Sequence, residues 1–179
     1  MLEMGISNKP IKELNATQSM VLSALMFAAA IVLSIVENML PPIVVAVPGV
    51  KFGLSNIAVM YALFFLGKKQ AYTIAILKGL FAFITRGAIA ALLSVVGGLL
   101  SITIMLVLLI IFKNKISYLV ISICGAISHN VGQFIVVALL YVGTNMLAYL
   151  PVLLVSGVFA GIVTSTLLRI ILPALKRLV

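Results

Sequence analysis

The stretch AALLSVVGGLLSITIMLVLLIIF, from Ala90 to Phe112, contains no charged side chain. A helix needs about 20 apolar residues to cross the ~30 Å hydrocarbon core of a bilayer, and this run supplies them. Reading outward, Thr17 to Met39, Ser117 to Val142 and Leu147 to Leu172 have the same character. Lys51 to Leu66 is a shorter run, and the segment from Ala71 to Arg86 is interrupted by Lys78. The breaks between runs carry helix-stopping residues: Pro41-Pro42, Gly67-Lys68-Lys69, Arg86-Gly87, Lys113-Asn114-Lys115 and Gly143-Thr144-Asn145. The pattern predicts an all-α polytopic membrane protein with six transmembrane helices in one bundle. Residues 1–16 form a polar tail, 17–172 the membrane domain and 173–179 a basic tail. The turn at Arg86-Gly87 has to be tight. The apolar, Pro-rich loop from Pro41 to Val50 is expected to fold back over the bundle.

Composition agrees. Of 179 residues, 64% are hydrophobic and 8% charged, against about 25% charged in a soluble domain. The net charge of +9 would suggest nucleic acid in a soluble protein. Here nine basic residues (Lys9, Lys12, Lys68, Lys69, Lys113, Lys115, Arg169, Lys176, Arg177) fall on one side of the six-span arrangement. That is the positive-inside pattern, so no nucleic-acid partner is expected and both termini are expected in the cytoplasm of a bacterial cell. Ala28-Ala29-Ala30 looks like a cleavage tripeptide but sits mid-span, so the first span reads as uncleaved.

Several chemistries lack their residues. The chain has no Asp, and two of its three acids, Glu3 and Glu13, lie in the N-terminal tail. Carboxylate-bound Mg²⁺ or Ca²⁺ is therefore not expected. One Cys, Cys124, and one His, His129, make neither a disulfide nor a structural zinc site. No phosphate-binding loop, nucleophile elbow or paired carboxylates are present, so the chain is not expected to be an enzyme, to hydrolyse ATP by itself, or to need a cofactor or metal.

Three cations depart from the inside pattern. Lys51, Lys78 and Arg86 lie within spans or at their far ends, where an ionisable group costs about 3 kcal/mol or more and usually has a partner and a task. Glu37 is the nearby acid. On the fifth span Gly125, His129 and Gln133 follow i, i+4 spacing and share a face, flanked by Asn130 and Gly132. The polar residues thus converge on the outer half of the bundle, where they have to face one another or a cavity rather than lipid. Each also has a structural explanation. Glu37 and Lys51 could be an interfacial ion pair pinning a loop. Arg86 could snorkel to headgroups. His129, Asn130 and Gln133 could be interhelical hydrogen-bond glue. Small residues make a second pattern, Ala24-x-x-x-Ala28 on span one and Gly157-x-x-x-Gly161-x-x-x-Ser165 on span six. It suits close helix approach, within the bundle for span six and toward a partner for span one.

Four stretches carry a family resemblance. They are Glu37 with Pro41-Pro42, the segment Val47-Pro48-Gly49-Val50-Lys51-Phe52-Gly53-Leu54-Ser55-Asn56-Ile57, the segment Gly125-Ala126-Ile127-Ser128-His129-Asn130-Val131-Gly132-Gln133, and Tyr149-Leu150-Pro151 followed by Ser156-Gly157. Over residues ~17 to 172 the chain resembles the Gx transporter family, also labelled heptaprenyl diphosphate synthase component I. That family is similar to the substrate-binding S components of energy-coupling-factor (ECF) transporters. The resemblance implies a six-helix membrane subunit that captures a small anionic molecule outside. It further implies docking on a transmembrane coupling protein with two ATPases, partly through the Ala24 and Ala28 face. Glu37, Lys51, Asn56, Lys78, Arg86, His129, Asn130 and Gln133 would bind substrate, and Pro48-Gly49 would turn a lid loop. Arg86 departs from the small or polar residue expected at its position, whereas Lys78 matches a family cation. Two other classes stay open: a membrane accessory of flavin- or quinone-linked electron transfer, and an accessory of polyprenyl diphosphate synthesis. For the latter, the missing aspartates rule out the catalytic subunit.

Overall fold

The computed structural model describes residues 15–39, 53–113, 115–141, 148 and 150–175. These residues form six helices and no strand: α1 Ala16–Met39, α2 Asn56–Leu66, α3 Lys68–Arg86, α4 Ala88–Ile111, α5 Tyr118–Leu140 and α6 Leu150–Leu175. The helices α3, α4, α5 and α6 each pack on the next, α1 lies against α2 and α3, and α2 also reaches α6. Ser19 of α1 accepts from Gln70 of α3 at one end, and Asn38 of α1 accepts from Arg86 of α3 at the other. These two helices therefore run parallel.

The short helix is the centre of the core. Every residue from Ile57 to Leu63 is buried, with Ile74, Ile102, Ile121 and Leu168 from α3, α4, α5 and α6 in the same cluster. A helix apolar on all sides belongs in an enclosed core or a membrane interior, and α2 is surrounded by its neighbours at the bundle centre. It begins at Asn56 rather than at Lys51. Gly53 adopts φ +72°, and its carbonyl accepts the Asn56 N–H at 2.9 Å, so a turn occupies the residues just before the helix. The end of α2 widens into a π-turn over Ala62–Leu66, where the Gly67 N–H reaches back five residues to the Ala62 carbonyl at 2.8 Å. Gly67 then reverses the chain with φ +106°, a conformation glycine adopts at little cost.

Among the described residues four helices, α1, α4, α5 and α6, are long and apolar enough to cross a membrane. The expectation of six spanning helices is thus met in the number of helices, while length and composition single out four. The other two miss for physical reasons. The enclosed α2 is short, and α3 carries Lys68, Lys69, Lys78 and Arg86. Apolar side chains point outward all round the bundle, among them Val32, Ile35, Leu80, Ile84, Ile110, Leu139, Phe159 and Ile170, an exposure that monomeric soluble proteins rarely show.

Helix boundaries otherwise follow the sequence closely. The turn between α3 and α4 is a single residue, Gly87 at φ +86°. The last helix runs past the expected stop at Leu172 and takes in Pro173. The Gly157 and Gly161 pair packs inside the bundle. A Cβ on Gly161 would lie 2.5 Å from the Cα of Ile123 in α5, and one on Gly157 3.1 Å from the Cα of Ile127.

Candidate functional site

At the end of the bundle where α1 and α3 finish and α6 starts, the helices part around a cavity of about 120 Å³. Glu37, Asn56, Lys78, Arg86, His129, Asn130 and Gln133 all line it. All six helices contribute these residues or their neighbours in the wall, and the apolar part is Ala90, Leu93, Ala126 and Ala160. Lys51 and the lid residues Pro48 and Gly49, with Pro41 and Pro42, lie outside the described residues. Ala24 and Ala28 are exposed on α1 and do not line the cavity.

Lys78 is the innermost cation. It lies on α3 about 12 Å along the axis from Arg86, at 1.5 Å per residue. Only 8% of it is exposed, and its Nζ donates to Asn56 Oδ1 at 2.8 Å. That bond explains why Asn56 stands at the first turn of α2, and it leaves the Asn56 amide nitrogen as a donor on the side of Gly53. Arg86 is exposed at the mouth and donates to Asn38 Oδ1 at 3.3 Å. It therefore reaches α1 as well as the cavity.

Glu37 is buried and accepts the Gly53 N–H. The carboxylate holds the turn that starts α2 against the end of α1. The ion pair expected with Lys51 cannot be placed, because Lys51 is not among the described residues. Asn130 turns toward α6, donating to the Leu153 carbonyl at 2.8 Å and to Ser156 Oγ at 3.2 Å. It ties two helices together at the cavity wall, which is the interhelical role weighed for it above. His129 and Gln133 meet at 3.3 Å across one turn. With the Gln133 amide as donor, the imidazole Nε2 accepts.

Close backbone contact between α4 and α5 sets this wall. A Cβ on Gly132 would fall 2.9 Å from the Cα of Gly97, and one on Gly97 would fall 2.9 Å from the His129 carbonyl and 3.0 Å from its ring. The Gly97-Gly98 pair interrupts a run of large residues, a signal for this approach that was not singled out from the sequence. The serines Ser34, Ser55 and Ser94 also line the cavity. Serines are common in membrane helices, and no spacing marked these three.

A polytopic helical membrane protein with a donor-rich cavity at the end of its bundle where α1 and α3 finish is the class these features define. The family model described as heptaprenyl diphosphate synthase component I matches residues 26–171, and the chain belongs to that family. No curated protein and no solved structure matches the chain.

Proposed function

We propose that this protein is the membrane-embedded substrate-binding subunit of a transporter, S-component-like, that takes a small anionic vitamin- or cofactor-like molecule from outside. One observation carries the reading: Lys78, nearly inaccessible to solvent, lies on a cavity whose lining holds two cations and a single carboxylate. A buried cation in a membrane protein marks a substrate path by default, and an acceptor-only ligand would satisfy the donors gathered there. The subunit is not an enzyme; it binds and positions. All six helices cross the bacterial cytoplasmic membrane, with α3 tolerated because Lys78 and Arg86 face the cavity end and Lys68 and Lys69 reach the inner surface. Both termini are cytoplasmic. Single cysteines in a Cys124→Ser background are expected to label at position 68 from inside only; labelling from outside would reverse the orientation.

Energy would come from a separate coupling protein and ATPases docked on the exposed Ala24 and Ala28 face of α1, where small side chains permit close helix approach. One purification from the native host tests binding and docking together. Mass spectrometry of wild-type protein is expected to find a small anion and an ATPase-linked membrane partner. Changing Ala24 and Ala28 to Leu is expected to lose the partner and keep the anion. A flavin in the preparation would favour the electron-transfer accessory, and a prenyl diphosphate the synthase accessory. Unchanged partner recovery in the Leu variant would remove the docking role of this face.

A further inference from the structure

Below the main cavity lies a smaller chamber of about 10 Å³, lined by Asn56, Val59, Ala75, Lys78, Ser94, Gly98, Ser101 and Met105. This is the room that one water molecule or one oxygen atom occupies. Asn56, Lys78 and Ser94 belong to both spaces, so the Lys78–Asn56 hydrogen bond is the floor of one and the roof of the other.

Ser94 is the unexplained group. It is 6% exposed, and its hydroxyl has no hydrogen-bond partner among the described residues. Hydroxyls in apolar helices usually bond to the carbonyl one turn back. Ser23, Thr85, Thr103, Ser128 and Thr166 all do so here, at 2.6–2.8 Å. Ser101, on the same side of α4 as Ser94, instead donates to the Gly125 carbonyl at 2.8 Å. Ser94 does neither. Ser122 Oγ, Ser165 Oγ and His129 Nδ1 are likewise without a hydrogen-bond partner among the described residues, but the two serines line neither space and His129 lines only the larger one.

We infer that the Ser94 hydroxyl and the chamber beneath it form the inner subsite for the ligand's anionic group, and that this group is a carboxylate. The inference rests on the anion-capture reading above. One carboxylate oxygen meets the Lys78 ammonium, and the other takes the place of a water at Ser94. A phosphate would carry further oxygens into a chamber whose remaining wall is Val59, Ala75, Gly98 and Met105, with Asn56, whose Oδ1 already accepts from Lys78, and Ser101, whose hydroxyl already donates to the Gly125 carbonyl, so those oxygens would keep most of their desolvation cost. The body of the ligand lies on Ala90, Leu93, Ala126 and Ala160. A cavity of 120 Å³ is close to the ~150 Å³ that accommodates a benzene ring in an engineered protein core.

Benzoate, phenylphosphonate and benzamide therefore make a discriminating probe set. Their binding is measured by calorimetry on purified protein, freed of co-purified ligand, in wild-type, Ser94→Ala and Ser94→Cys forms, each checked for monodispersity. Benzoate is expected to bind wild type at least about tenfold tighter than phenylphosphonate or benzamide. Both Ser94 variants are expected to lose about tenfold for benzoate, the fold-change of one hydrogen bond to a charged group, with little change for benzamide. Equal benzoate affinity in wild type and in both variants would overturn the subsite while leaving anion capture standing. Tighter binding of phenylphosphonate would overturn the carboxylate assignment. Binding of neither anion to wild type would overturn the subsite and count against the capture reading as well.

Discussion

Replacing Lys78 by Ala or Met is expected to weaken ligand binding about 100-fold, the largest effect of any single change in the cavity. A hydrogen bond from a charged donor contributes about 1.5–3 kcal/mol, and at 8% exposure Lys78 acts where water screens little of its field. Met keeps the length of the stem, so agreement between the two variants separates charge from packing. Arg86→Ala is expected to cost less and to lose its effect at high salt, since Arg86 is exposed at the mouth and exposed charges are screened within about 10 Å at 0.1 M salt. Lys51→Ala should fall between them. The measurement is affinity for the anion recovered with the wild-type protein, at low and high salt, on monodisperse variants. If Lys78→Met binds as tightly as wild type, Lys78 is not the counter-ion.

Gly161 carries the largest expected effect on stability. Its side-chain position points at the backbone of Ile123, with the Cα at 2.5 Å and the amide nitrogen at 2.8 Å. No side-chain rotation relieves that clash, so α5 and α6 have to separate. Gly161→Ala is expected to cost about 1–3 kcal/mol, the range for overpacking, and Gly161→Leu to yield no monodisperse protein. Gly87→Ala is the control. It has open space around it and only its φ of +86° to oppose a side chain, so a milder loss of about 1–2 kcal/mol is expected. Thermal unfolding in detergent, followed by size-exclusion chromatography, ranks the three. A Gly161→Leu variant as stable as wild type would mean that the α5–α6 contact contributes little.

Much of this architecture was readable from hydropathy because lipid imposes a simple rule on sequence: long charge-free runs and basic loops. The four long helices and the one-residue turn at Gly87 followed from that rule. The start of α2 did not. Phe52 and Leu54 continue an apolar pattern, and only the positive φ of Gly53 together with the Glu37 carboxylate on its N–H shows that a turn intervenes. The grouping of Glu37, Lys78, Arg86, His129, Asn130 and Gln133 around one space was anticipated from depth, because antiparallel neighbours bring residues of equal depth together, whereas Asn56 was expected only from the family resemblance. Depth does not give direction, however. Asn130 bonds to α6 while His129, its neighbour in sequence, faces Gln133 and α4. Ser94 was invisible for another reason: what sets it apart is a missing partner, and a sequence does not record that.

The single glycine between α3 and α4 also bears on how the chain enters its membrane. In the six-span arrangement α3 is a poor candidate for insertion alone, since a Lys or Arg near the middle of a spanning helix costs about 2.5–3.5 kcal/mol on the scale set by the insertion machinery, and Lys78 occupies that place. Its successor α4 has no charge at all from Ala88 to Ile111. In that arrangement, with only Gly87 between them, the translocation apparatus would receive the two as one hairpin, and the surplus of α4 would offset the deficit of α3. The cation-bearing helix would thereby be delivered to the bilayer by the neighbour that carries Ser94.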